Sequence, residues 1–191
     1  RDLIQGTAEW RAIRAGKVTA SAMHVLMTAK ARTGALTEGS RTYLYRLAAE
    51  WALGQPYETG QSAFMVRGSA YEDQAWATYE FDHGVTTEKI GGVENDEQTV
   101  WVSPDRLIGA DGGGELKTLS APEHVRAMLE GNDDPLAQIQ ANLWITGRIW
   151  WDSYFWNPVL PEVCIRIERD DNYIATLATS VGWFLEHLEG A

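Results

Sequence analysis

Glu115 and Lys117 stand two residues apart in the stretch SPDRLIGADGGGELKTL (residues 103–119), which also carries Asp105. On a strand, residues two apart point to one face, so a carboxylate and an ammonium would sit side by side across Leu116. The glycine-rich segment after Asp105 can double the chain back. A turn centred near Ala110 pairs Asp105 with Glu115 and puts both on the same face. A tight turn at Asp111-Gly112 would instead slide Asp105 out of register with Glu115 and spoil the set. Gly112, Gly113 and Gly114 make the looser turn the expectation. Two such carboxylates suit Mg²⁺, a hard ion that prefers carboxylate and water oxygens. They can also bridge a metal pair about 4 Å apart, an arrangement that stabilises the attacking and leaving oxygens of phosphodiester hydrolysis. Lys117 could orient or deprotonate the attacking water, or offset charge on the pentavalent phosphate. By itself E-x-K is also the pattern of an ordinary ion pair on a surface hairpin. Metal-dependent cleavage is indicated by P-D, the glycine-bearing gap and E-x-K occurring together.

The elements that must position these groups are legible as periodicities. Helical patterns run over about 7–14, from a cap at Thr19 or Ser21 to about 29, from Ser40 to Gly54, and over about 68–82, stopping at Gly84. Residues KARTGALTEG form a basic loop and 55–64 a polar turn region. Strand-like runs follow at about 86–93, 98–103 and 114–119. Ser120 and Glu123 form a capping box for a helix to about Glu130. Pro135 opens another helix, with Leu136, Ile139 and Leu143 on one face, and Gly147 closes it. Strands at 148–156 and 162–169 precede a terminal helix over 171–188. Helices, a group of strands with an interposed helical pair, and a terminal helix predict a mixed α/β domain.

The 191 residues read as one domain, 1–191, with ordinary hydrophobic (45%) and charged (23%) fractions. No run approaches the ~18 apolar residues that span a bilayer, and the first residues lack an apolar signal core, so no membrane partner is expected and the cytoplasm is the expected compartment. The sole cysteine, Cys164, leaves no internal disulfide and is expected to be buried and inert. His24, His83, His124 and His187 have no metal-ligand spacing, which disfavours zinc. The net charge of −11 is unevenly spread: residues 1–50 carry eight Lys/Arg against four Asp/Glu, and 51–191 carry eight against twenty-three. A chain acidic overall can still hold DNA in one basic groove. Six of the aromatic residues lie between Trp144 and Trp156, and strand alternation makes them core and subunit interface before a base-stacking platform.

Ordered motifs along nearly the whole chain resemble the phage lambda exonuclease family of viral recombination nucleases, a branch of the PD-(D/E)XK superfamily. They are EWRAIRAGKVTAS, RGSAYEDQA, SPDRLIGADGGGELK, AQIQANLWITG and RIERDDNY. Two departures stand out: Arg106 occupies the place of the family's usual Gly, and Thr118-Leu119 that of its frequent Cys-Pro. The resemblance implies a restriction-endonuclease-like core, a central mixed sheet flanked by helices. It implies Asp105, Glu115, the Leu116 carbonyl and helix-borne Glu72 as ligands of two Mg²⁺ ions, with Mn²⁺ as the alternative metal. Lys117 becomes the catalytic lysine, and Gln138 the residue steadying the nucleophile, with Gln140 as the alternative. Arg14, Ser21 and Ser103 match a 5′-phosphate pocket, a set of a guanidinium and two hydroxyls that suits phosphate oxygens. Arg32 matches a contact to duplex backbone, and Met65 an apolar wedge or, equally, a core methionine. From the residues alone Glu72 would be a solvated helix carboxylate and Arg14 a surface arginine.

The activity so implied is 5′→3′ exonuclease digestion of one strand of linear double-stranded DNA, leaving a 3′ single strand for recombination. The expected enzyme is a phage- or prophage-encoded homotrimer in a bacterial cell, with a single-strand annealing protein as partner. The alternatives are an endonuclease of the same fold and a catalytically silent DNA-binding recombination scaffold.

Overall fold

The computed structural model describes residues 3–57, 63–131 and 135–190, and for 63–70 only the course of the helix. Helix α1 (Ala8–Arg14) is capped by the Thr7 hydroxyl and leads into β1 (Val18–Thr19). The predicted helix from Thr19 to about 29 is instead a 3₁₀ helix, Ala20–Leu26, and Thr19 does not cap it. Thr19 is drawn elsewhere: it pairs with Trp101 as part of β1, and its N–H donates to the Tyr43 hydroxyl. The basic loop contains a further 3₁₀ turn, Ala31–Thr33. Helix α2 (Glu38–Leu53) starts at a Thr37/Ser40 capping box and ends at a left-handed Gly54. Helix α3 (Ala63–His83) carries Glu72. Met65 lies in its first turns, and its side chain is outside the described residues.

Two sheets follow. β2 (Thr87–Glu88) and β3 (Val93–Glu94) replace the single strand expected over 86–93 and belong to different sheets. The break falls at Gly91-Gly92, where the amino-terminal segment crosses: any side chain at Gly91 would meet Leu3, and the Trp10 indole donates to the Gly91 carbonyl. β4 (Val100–Val102) lies between β1 and β3 in a small sheet. The main sheet has the order β2-β5-β6-β7-β8, from β5 (Arg106–Ile108), β6 (Gly112–Thr118), β7 (Trp150–Trp156) and β8 (Val163–Glu168). β6 and β7 are parallel and the other pairings antiparallel, which makes the sheet mixed as expected. The parallel pair is joined by a crossover of α4 (Ala121–Glu130), with its Ser120/Glu123 capping box, and α5 (Leu136–Thr146), closed by left-handed Gly147. Helix α6 (Asp171–Glu189) ends the described chain.

The three glycines are not the turn. The hairpin reverses around Gly109–Asp111, and Gly112, Gly113 and Gly114 are the first residues of β6. They are required by what lies over them. A β-carbon at Gly112 would run into Trp150, at Gly113 into Trp151 and at Gly114 into Trp76. Trp76, Tyr79, Ile108 and Tyr154 form the core on the α3 face of the sheet. Trp151, Ile139, Leu143 and Ile174 form it on the opposite face, under α5 and α6. Four of the six aromatics from 144 to 156 are buried, so that run belongs to the core. Gly114→Ala should therefore destabilise the fold by about 1–3 kcal/mol in urea unfolding, because Trp76 is only 2% exposed and cannot swing clear. Combined with Trp76→Leu, the loss should be smaller than the sum of the two single losses. A Gly114→Ala midpoint equal to wild type would show that the ring is free to yield.

Candidate active site

The β5–β6 register pairs Arg106 with Gly114, Leu107 with Gly113 and Ile108 with Gly112, so the hairpin turns about Ala110. Extended by one residue, it sets Asp105 opposite Glu115, as the spacing predicts. Asp105 is anchored there because its Oδ2 accepts the Leu116 N–H at 2.8 Å. Odd-numbered residues of β6 face α5, and Gln138 meets them from that helix. Its amide donates to Glu115 Oε1 at 2.6 Å, and Lys117 Nζ donates to the same oxygen at 2.8 Å and to Gln138 Oε1 at 3.3 Å. Gln140, the alternative glutamine, is turned away and bridges the Glu168 carbonyl and the Asp170 N–H.

The electrostatics of this group are unbalanced. Burial, then the charge of Glu115, push Asp105 well above the usual carboxylate range. Burial alone would lower Lys117, but the charge and hydrogen bond of Glu115 outweigh it and hold the ammonium above its ordinary value. Glu115 is 4% exposed, and its Oε2 has no hydrogen-bond partner among the described residues. A buried carboxylate oxygen without a donor, beside a second carboxylate, is what a hard divalent cation would relieve. Asp105 and Glu115 therefore fit such an ion. Among the described residues no third carboxylate or imidazole closes on them.

Glu72 is the reason. It lines the same cavity, yet its Oε1 accepts from Lys89 Nζ at 2.6 Å and from Arg106 at 3.1 Å. Burial would raise this carboxyl, but those two cations hold it below the ordinary value. Arg106 is 7% exposed, lies over the Trp76 ring and also donates to the Asp105 carbonyl at 2.8 Å. The residue that departs from the family pattern thus binds Glu72 and the backbone of Asp105 together.

The cavity above these groups has a volume of about 540 Å³, and Arg14, Ser21 and Ser103 line it as well. Arg14 lies 4.4 Å from the centre of the Trp10 ring. Burial, with Arg46 next, holds Arg14 below its ordinary value, the condition of a cation that gains from an incoming anion. Ser103 accepts the Trp101 indole N–H at 2.8 Å and retains its own proton to donate. Arg32 is exposed on its 3₁₀ turn and does not line the cavity. Trp10 and Gln5, absent from the residues expected at the site, also line it, as does Thr19, expected there only as a helix cap. Trp10 carried a usable signal, since it precedes Arg14 by one helical turn on α1. Gln5 ties the amino-terminal segment to the carbonyls of Ile90 and Pro104, next to Asp105. It carried none.

Residues 9–149 match the model of the YqaJ-like viral recombinase domain. No curated protein matches the chain. Among solved structures the chain is similar to the alkaline exonuclease LHK-Exo of Laribacter hongkongensis, at 31% identity over 96% of this chain and 93% of that one, with a TM-score of 0.86. The complex of LHK-Exo with dAMP superposes with a TM-score of 0.87 at the same identity and coverage. A phage-related exonuclease from Haemophilus somnus 129PT shares the fold at 16% identity and a TM-score of 0.75, over 91% of this chain and 94% of that one. The chain therefore belongs to the YqaJ-like viral recombinase family and carries the lambda-exonuclease type of PD-(D/E)XK fold.

Proposed function

We propose that residues 1–191 form a single nuclease domain. It acts as a Mg²⁺-dependent 5′→3′ exonuclease on linear double-stranded DNA and leaves a 3′ single strand for phage-type recombination. The observation that carries this reading is one cavity in which the Asp105–Glu115–Lys117 group and the Arg14–Ser21–Ser103 group both stand. Its relatives support it, LHK-Exo being an alkaline exonuclease that binds dAMP. Asp105, Glu115 and the Leu116 carbonyl would hold the first of two ions. Glu72 would reach the metal site only by leaving Lys89 and Arg106. When bound, the metal ions activate water and polarise the scissile phosphate. Lys117, kept charged beside Glu115, orients the attacking water and offsets charge accumulating on phosphate oxygens. Gln138, bonded to both Lys117 and Glu115, steadies them on the nucleophile side. Arg14, Ser21 and Ser103 bind the terminal 5′-phosphate, so each cut presents the next linkage to the same carboxylates. Met65 as a wedge between strands and Arg32 on the duplex backbone complete the path.

The testing experiment compares nucleotide release from 5′-phosphorylated linear, 5′-hydroxyl linear and closed circular duplexes. The wild type should digest linear DNA, start faster on phosphorylated ends and leave circles intact. Lys117→Ala should abolish release while keeping DNA binding in Ca²⁺. Arg14→Ala should erase most of the phosphate preference, a charge-assisted contact of ~1.5–3 kcal/mol corresponding to roughly tenfold to hundredfold. Cleavage of circles would make the protein an endonuclease, and no release by the wild type would make it a silent scaffold.

The metal has its own readout. Mg²⁺ or Mn²⁺ should raise the melting temperature, by the equivalent of about 2.7 kcal/mol at one hundred times the dissociation constant. Asp105→Asn removes one of two facing charges, so without cation it should be no less stable than wild type, and it should lose most of the cation-induced gain. A wild-type melt indifferent to both ions would remove the metal from the reading.

A homotrimer around DNA, working with a single-strand annealing protein in the bacterial cytoplasm, completes the proposal. No helix of the described residues is long and apolar enough to cross a membrane. Val125, Met128 and Leu129 on α4, together with Val159, are exposed apolar groups of the kind an oligomer covers. Light scattering should report about three times 21.3 kDa. A monomer that digests long DNA processively would contradict the ring.

A further inference from the structure

A second cavity, of about 240 Å³, opens beside the first. Its walls come from three places: Ser21 and His24 on the first 3₁₀ helix, Lys117 and Leu119 at the end of β6, and Pro135 and Gln138 at the start of α5. The fully buried Phe155, register partner of Lys117 on β7, forms the floor. It shares Ser21 with the proposed terminal-phosphate site, Lys117 and Gln138 with the proposed cleavage site, and Leu119 with the wall of the first cavity. One nucleoside separates a terminal phosphate from the first scissile one. We propose that this side cavity is the subsite for the nucleobase of the 5′-terminal nucleotide.

The chemistry of the walls fits a flat heteroaromatic ring. Leu119 presents apolar surface to a π-face, backed by the buried side chains of Pro135 and Phe155, and the polar groups stand at the rim. The volume falls below the roughly 300–1,000 Å³ of pockets that enclose a drug-sized ligand, and suits one ring system with its sugar left outside. His24 has its Nδ1 3.0 Å from the Ser21 carbonyl, so the neutral ring donates there and keeps Nε2 as an acceptor. That acceptor is suited to the amino and imino hydrogens on base edges. A base seated here would fix the rotation of the first nucleotide as well as its phosphate. It would also make the first cut depend on the terminal base being present.

This inference rests on the terminal-phosphate reading of Arg14, Ser21 and Ser103, and the test separates the two. Binding of dAMP, deoxyribose 5-phosphate and inorganic phosphate to the whole chain in Ca²⁺ is measured by calorimetry. Initial release is measured from 5′-phosphorylated duplexes whose first residue carries a base or is abasic. The wild type should bind dAMP about tenfold more tightly than deoxyribose 5-phosphate, and start more slowly on the abasic end by a similar factor. His24→Trp, which fills the cavity from a residue that does not line the first one, should collapse both ratios toward one. His24→Ala, on an exposed residue whose removal leaves the core intact, should reduce them in part. Equal wild-type binding of dAMP and deoxyribose 5-phosphate would overturn the subsite and leave the phosphate reading standing. Undiminished discrimination in both variants would place the base elsewhere and overturn it too. Failure of all three ligands to bind would bring down the phosphate reading, and the subsite with it.

Discussion

Between Arg106↔Gly114 and Ile108↔Gly112 the β5–β6 hairpin has no freedom to slip, because a shift of one residue would send every side chain of β6 to the opposite face. What holds the register is tryptophan. Gly112, Gly113 and Gly114 lie under three indoles, two from the neighbouring strand β7 and one from α3. A side chain at any of these positions would run into a ring, and at Gly113 and Gly114 the ring, Trp151 or Trp76, is almost wholly buried. With the glycines seated, Asp105 must come opposite Glu115, and Lys117 must follow on the same face. The placement of the carboxylates is thus a consequence of aromatic packing on both sides of the sheet.

The same placement creates a charge problem. Asp105 and Glu115 face each other where burial penalises both, and the protein offers Lys117 and the Gln138 amide in partial compensation. One Glu115 oxygen remains without a donor among the described residues. Nearby, Glu72 is paired through one oxygen with Lys89 and Arg106. A Gly-to-Arg change at position 106 would be expected to disturb a turn; instead the guanidinium is absorbed between Trp76, Glu72 and the Asp105 carbonyl. It lies on the α3 face of the sheet, while the carboxylate pair faces α5. The protein has therefore accommodated a large cation beside its carboxylates without neutralising the pair opposite α5.

Much of this was legible in the chain itself, and the parts that were not share a cause. Asp105, Glu115 and Lys117 could be read because strand alternation is a local rule and the turn centre follows from the spacing. The caps at Thr37, Ser120, Gly54 and Gly147 are local in the same way, although Thr37 stands where the sequence reading had placed the basic loop. The turn centre near Ala110 follows from the spacing, but the need for glycine at 112–114 does not, because the indoles that require it arrive from residues 76, 150 and 151. Ahead of the 3₁₀ helix Ala20–Leu26, Thr19 is held in β1 by Trp101 and by Tyr43, twenty-four residues away. Gln138 could not be separated from Gln140 by pattern, since both stand in one helix and only the approach of α5 to β6 decides which reaches Glu115. In each case the deciding partner is distant along the chain.

The acidic excess of the chain has a related resolution. A uniform charge of −11 would repel a polyanion, but affinity for DNA depends on where the cations stand and not on their sum. Arg14 is half-buried against Trp10 and close enough to Arg46 for the two positive charges to disfavour each other. Such a cation is desolvated in advance, so an anion entering the cavity displaces less water from it than from an exposed lysine, and meets a stronger field. The same cavity holds a carboxylate pair that would repel that anion unless a divalent cation came first. Metal and phosphate would therefore bind with mutual support, each relieving the charge that opposes the other. An acidic surface elsewhere would then exclude nucleic acid from every site except the one where both conditions are met.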